Sequence, residues 1–341
     1  MNRFLERLGQ GPVICAEGYL FEFERRGYLQ AGAFVPEVVL DHPELVAELH
    51  REFVHAGSDV VEAFTYYAHR EKLRIVGKED ALEEINRQAL RIAGEVAGES
   101  GAFFAGDICN TNVYDPADAA THRAVRGMFE EQVGWAVDAG VDLIIGETFS
   151  WAEEALLALD VIKETGLPAV ITLAIHRSPD TREGWTPEDA CKRIEDAGAA
   201  VVGLNCIRGP LTMLPLLERI RATCDGPLAA LPVPYRTTDD EPSFQSLTDP
   251  HRPGSRPFPT GLDPFVCTRD ELGEFAAAAH ALGVSYLGVC CGAAPHHIRA
   301  VAEALGRTPP ASRFSADMSR HAYYGSDPRL KDVNRSYARE L

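Results

Sequence analysis

The segment VSYLGVCCGAAPHHIRAVAEALG, residues 284–306, opens as an apolar run and continues, from Pro295, as a helix. The near-absence of polar residues in VSYLGVCC suits a strand buried on both faces of a parallel sheet. Seven other runs read the same way: PVICAEG (12–18), DVVEAFTY (59–66), AFFAGDIC (102–109), VDLIIGET (141–148), PAVITLAI (168–175), AAVVGLNC (199–206) and PLAALPVP (227–234). Helical patterns lie between them. HPELVAELHREFVHAG, 42–57, sets Leu45, Leu49 and Phe53 on one face and stops at a glycine; 128–140 and 270–283 stop likewise. TPEDACKRIEDAG, 186–198, pairs Thr186 as N-cap with Pro187, and Thr268 with Glu271 forms a capping box. Eight strand–helix units predict an α/β fold, a (β/α)8 TIM barrel with its active site at the C-terminal face of the strands. The competing doubly wound sheet lacks a G-x-G-x-x-G at any helix start. Residues 1–306 are read as the barrel domain and 307–341 as an irregular tail, a candidate oligomerisation arm. The stretch 235–265, rich in Pro, Gly and Asp, follows the seventh strand and is long enough to expect a functional loop at the active face.

The chain has 341 residues, 45% hydrophobic, with a formal net charge of −18. An acidic surface repels phosphate backbones and anionic lipid, so no nucleic-acid or membrane partner is expected. No apolar run approaches the roughly 20 residues that span a bilayer. The start, MNRFLERLGQ, has no signal-peptide core, and a cytoplasmic protein is expected.

Eight cysteines are present, and a reducing compartment argues against disulfides. Cys206 ends the sixth strand, and Cys290 and Cys291 end the eighth. In a barrel these ends open on one face, where three thiolates could meet on a metal; three protein ligands and an open position are the arrangement of catalytic zinc. Successive strand residues face opposite ways, so both Cys290 and Cys291 can ligate only if the chain bends there, for which Gly292 gives freedom. On spacing alone, a metal site and ordinary core sulfur remain equally open. Cys15, Cys109, Cys191, Cys224 and Cys267 are read as structural. His296 and His297, at a helix start, are read as surface or capping residues. A zinc ion with three thiolates is a weak Lewis acid for hydrolysis, but it can hold a substrate thiol as nucleophilic thiolate.

GLNC at 203–206 and GVCCG at 288–292 resemble the zinc motifs of the homocysteine S-methyltransferases. FERRGYLQAG (23–32), residues 35–68, GLDPFVCTRDELGEFA (261–276) and 288–305 resemble the betaine–homocysteine branch. The resemblance implies a homocysteine-binding type of barrel and one Zn2+ per chain on Cys206, Cys290 and Cys291. It also implies two small-molecule partners, a quaternary ammonium or sulfonium methyl donor and a thiol acceptor. Tyr67 matches a tyrosine beside the zinc and donor site. Glu147 matches the glutamate that holds the homocysteine amino group.

Some positions depart from that pattern. The family's first strand ends D-G-G, whereas this chain reads Ala16-Glu17-Gly18, so Ala16 stands where the aspartate is expected and Glu17 is the candidate substitute. A tryptophan and a second tyrosine of the donor site correspond to Phe34 and Thr148. Phe34, Tyr66 and Tyr67 are then a candidate partial cage for a cation, and Glu17, Gly18, Phe34, Tyr66, Tyr67 and Glu147 the candidate substrate-binding set. Other readings remain: another donor such as S-methylmethionine, dimethylsulfoniopropionate or a different betaine, another thiol, a structural-zinc or redox barrel, or a cation-binding barrel without catalysis.

Overall fold

In the computed structural model, which describes residues 2–341, eight parallel strands close into a barrel in chain order. They are β1 (Val13–Ala16), β2 (Val60–Glu62), β3 (Phe103–Cys109), β4 (Leu143–Phe149), β5 (Ala169–Leu173), β6 (Val201–Asn205), β7 (Leu228–Leu231) and β8 (Val284–Val289). The pairing of Val13 with Tyr286 begins the β1–β8 seam that shuts the cylinder. All strand residues are buried except Ser285, which is half-buried. Both faces are dry because side chains fill the barrel and helices cover it.

Each of the eight apolar runs forms a strand, and the expected caps are present. Thr186 accepts from Asp189 N at 3.3 Å. Thr268 Oγ1 accepts from Glu271 N at 3.2 Å while Glu271 Oε2 accepts from Thr268 N at 2.6 Å, the reciprocal box. β2 stops at Glu62, short of the expected 66, because Thr65 N turns back to Ala63 O at 2.7 Å. Tyr66 and Tyr67 therefore stand on a turn at the mouth of the barrel. The tail is not wholly irregular: after short turns at Pro310–Phe314 and Met318–Arg320 it carries a helix, Asp332–Tyr337. Arg307 grips both oxygens of Asp59 at 2.6 and 2.7 Å, and Asp59 also accepts from Ile14 N at 2.9 Å, so the chain after the last barrel helix is tied to β1. Among the described residues no helix is long and apolar enough to cross a membrane.

The helix Pro43–Ala56 turns His50 into the core against the Tyr19 ring, 4.9 Å between centroids, with neither ring nitrogen hydrogen-bonded. Burial, with Arg51 adding, holds its pKa down to about 3. The unfolded chain takes that proton near pH 6.5, so the folded state loses stability as pH falls below that value. The loss approaches roughly 1.4 kcal/mol per pH unit until the folded pKa is reached. His50→Phe should flatten the acid side of the profile by that slope, measured by urea unfolding at pH 7.5, 6.5 and 5.5; an unchanged slope would remove His50 from the account.

Candidate metal centre

β6, β7 and β8 are neighbours, and the last residue of β7 and the one after it anchor the two cysteine turns. Cys206 N donates to Leu231 O and Cys290 N to Pro232 O, each at 2.9 Å. Past Asn205 the chain enters the left-handed region, with φ +53° at Cys206 and +59° at Ile207. Past Val289 it bends at Gly292, φ +95°, where a side chain would also collide with the Tyr235 hydroxyl. Arg25 holds that bend from outside, donating to the Tyr235 hydroxyl at 2.8 Å and to Gly292 O at 3.2 Å. The bend lets two successive side chains face one point. The sulfurs of Cys206, Cys290 and Cys291 lie within 4.8 Å of one another.

The three thiols cannot all ionise unaided so close together in a buried site. Hydrogen bonds from Cys290 and then Cys291 push Cys206 well below the usual thiol range. Cys290 is raised, first by burial, and Cys291 is raised, first by its bond to Cys206. A thiophilic dication would supply the charge that lets all three ionise together. The donor set, its closeness and its burial fit zinc.

Two cavities meet at these sulfurs. The outer, of about 180 Å³, is lined by Phe21, Phe34, Tyr66, Tyr67 and Phe244 together with Asn110, Asn112, Thr148, Ser150, His176, Cys206 and Cys291. The inner, of about 20 Å³, is lined by Glu17, Glu62, Asp107, Glu147, Tyr66, Cys290 and Cys291 among others. Among the described residues, the non-glycine positions with positive φ are Phe34, Tyr67, Asn112, Thr148, Cys206 and Ile207. All of them line the outer cavity. Such conformations cost of order 1–3 kcal/mol each and gather where a site needs them. Tyr66 and Tyr67 pack at 4.3 Å between centroids, Phe34 stacks on Phe21 at 5.8 Å, and Lys72 Nζ takes one face of Tyr67 at 4.1 Å. The long 235–265 segment folds over the opening: Phe244 N donates to Ile207 O at 2.9 Å, and its ring is 5.9 Å from Tyr235 and 5.1 Å from Phe258.

On the inner side, Asn205 is a hub that the sequence reading did not single out. Its Nδ2 lies 2.6 Å from Glu147 Oε2, 2.9 Å from Thr148 Oγ1, 3.3 Å from Glu17 Oε2 and 3.8 Å from Cys290 Sγ, while its Oδ1 accepts from Thr148 N at 3.0 Å. It sits inside the GLNC motif, one residue before the cysteine, which is the only signal the sequence offers. Glu17 does reach the site, its pKa raised to about 8 chiefly by burial. Glu147 is raised too, by burial and then by Glu17 and Asp107. Glu62 and Asp107 were also missed; each is the one carboxylate of its strand, β2 and β3, amid apolar neighbours. Gly18 serves packing: a Cβ there would sit 2.5 Å from Ala293 O, so the turn after β1 can lie against the Cys290–Cys291 bend only as glycine. His297 Nδ1 accepts from Ala294 N at 3.0 Å, the capping role, but the side chain is buried rather than at the surface. All eight cysteines are free.

Residues 18–305 match the family profile described as homocysteine S-methyltransferase. Betaine–homocysteine S-methyltransferase 1 of Xenopus tropicalis is 36% identical over 337 residues, covering 94% of this chain and 79% of that protein. The S-methylmethionine–homocysteine S-methyltransferase of Pongo abelii is also 36% identical, over 334 residues, covering 94% and 86%. Among solved structures, the metallated form of the homocysteine methyltransferase MmuM from Escherichia coli superposes with a TM-score of 0.67 at 17% identity, over 87% of this chain and 97% of that one, in agreement with the barrel.

Proposed function

Since the chain belongs to the homocysteine S-methyltransferase family, we propose that it moves a methyl group from a betaine-type quaternary ammonium donor to homocysteine, giving methionine, with one zinc ion held by Cys206, Cys290 and Cys291. The observation that carries this reading is the meeting of three sulfurs, within 4.8 Å of one another, at the junction of an aromatic outer cavity and an acidic inner one. Zinc bound there supplies the positive charge that keeps an incoming thiol as thiolate near neutral pH. The chain's own groups do the positioning. Phe34, Tyr66 and Tyr67 offer ring faces to the donor's cation. Glu147, oriented by Asn205, takes the acceptor's ammonium. The Phe244 segment covers the pair and excludes water.

In the reaction a carbon–sulfur bond forms as the carbon–nitrogen bond breaks, and the bonding pair leaves on nitrogen. The donor's cation becomes a neutral amine, so no side chain has to supply a proton. Catalysis then rests on alignment and dry surroundings. Tyr67→Ala should raise the donor KM about 10-fold, as loss of a desolvated cation–π face implies, with the acceptor KM little changed; initial-rate kinetics in both substrates check it.

The equal identity to relatives named for betaine and for S-methylmethionine favours a second reading, a sulfonium donor held by the same rings. A panel of glycine betaine, S-methylmethionine and dimethylsulfoniopropionate with homocysteine, read by mass spectrometry of the thioether, decides. Methionine from glycine betaine supports the first reading; methionine from a sulfonium donor alone replaces the donor and keeps the acceptor. The tail is proposed as an arm that pairs chains, since Phe314, Met318, Tyr324, Val333 and Leu341 leave their apolar side chains exposed. Light scattering of the full chain against one ending at residue 306 tests that, and equal masses would reject it. The protein is proposed to work in the cytoplasm.

A further inference from the structure

Glu62 on β2 and Asp107 on β3 play no part in the scheme above, yet they are the least satisfied charged groups in the barrel. Their exposures are 2% and 4%. Both oxygens of Glu62 and Oδ1 of Asp107 have no hydrogen-bond partner. One oxygen from each, with one from Glu147, falls within 4.8 Å of the others. They line the inner cavity, whose walls contain no Lys, Arg or His. Buried carboxylates without partners are costly, and such a set either keeps protons or awaits a cation. Burial first, then the charges of Glu17, Asp107 and Glu147, raises the proton affinity of Glu62, and burial with Glu17 raises that of Asp107.

We propose that Glu62 and Asp107, beside Glu147, are the receptor for the ammonium group of the thiol acceptor and restrict the acceptor to amine-bearing thiols. This rests on the homocysteine reading. The cavity's 20 Å³ admits a group of about the size of one water, which suits a primary ammonium and excludes a trimethylammonium or a guanidinium. Cys290 and Cys291 form part of its wall, and Glu17, Glu147 and Cys290 place ligand atoms within 4.8 Å of one another. A short molecule with an amine at one end and a thiol at the other therefore reaches both. The donor is left to the outer cavity, which shares only Leu20, Tyr66 and Cys291 with the inner one.

The test is calorimetric binding of homocysteine and of its amine-free analogue 4-mercaptobutanoate to the zinc-loaded full chain, with no turnover required. Wild-type protein should favour homocysteine by about 100-fold, since the analogue leaves the carboxylates unpaired. Glu62→Gln with Asp107→Asn should cut that preference to below about 10-fold while zinc content and affinity for the analogue hold. Glu62→Asp should restore part of it. Both amide changes keep side-chain size, and Glu62→Gln alone reads the same ratio if the double variant fails to fold. A ratio that survives the substitutions overturns the proposal. So does a wild type that binds both thiols alike, or a second metal equivalent that leaves with the carboxylates. A zinc-loaded wild type that binds neither thiol overturns the homocysteine reading and this inference with it.

Discussion

Cys290→Ala is expected to abolish bound zinc and to lower methyl transfer on the order of 10⁴-fold, since several kcal/mol of barrier lowering depend on the metal charge. The loss follows from the geometry. Cys206 and Cys291 remain, but two sulfurs cannot hold zinc against competing cellular thiols as three do. Cys206→Ala and Cys291→Ala should behave alike, because each sulfur stands within 4.8 Å of both others. The fold should survive: Cys206 and Cys290 are anchored through their backbone N–H groups to Leu231 O and Pro232 O, contacts that a substitution by alanine leaves in place. Metal analysis and circular dichroism on the same samples separate loss of the ion from loss of the structure. A Cys290→Ala protein that keeps a full zinc equivalent would show that sulfur to be a bystander.

Asn205→Ala has the second largest expected effect, a fall in kcat/KM of about 100-fold, in the range that loss of a group orienting metal ligands produces. The side chain is fully buried and its Nδ2 reaches Glu147, Glu17 and Thr148 while standing 3.8 Å from Cys290 Sγ. Without it Glu147 keeps only the Thr148 hydroxyl at 2.8 Å. Glu17 and Glu147 then lose the one donor they share. The acceptor KM should rise more than the donor KM, and zinc should bind about 10-fold more weakly. Kinetics in both substrates together with competitive zinc titration check this; an unchanged acceptor KM would limit Asn205 to holding β6 against β4.

The barrel was legible because strands buried on both faces read as apolar runs, and because Thr186, Thr268 and Pro187 announce their helices. The short helix Tyr19–Arg25 was not. Its FEFER alternates like a strand, and no side chain caps its start at Gly18. The sulfur site was legible as a juxtaposition of strand ends, and the family resemblance gave Tyr67 and Glu147 their places. What escaped was whatever depends on backbone hand or on a neighbour far along the chain. Positive φ at Phe34, Tyr67 and Thr148 carries no sequence mark in residues of those types. Glu62 and Asp107 are single acidic letters in two different strands, and only the lateral pairing of β2 with β3 and of β3 with β4 sets them beside Glu147.

The most direct measurement removes zinc with a chelator and returns it in steps while following methionine formed from homocysteine and the best donor. Activity should vanish in the metal-free protein and return in proportion to zinc bound, reaching its full value at about one ion per chain. Metal-free protein that forms methionine at the untreated rate would contradict a role for the three sulfurs in methyl transfer.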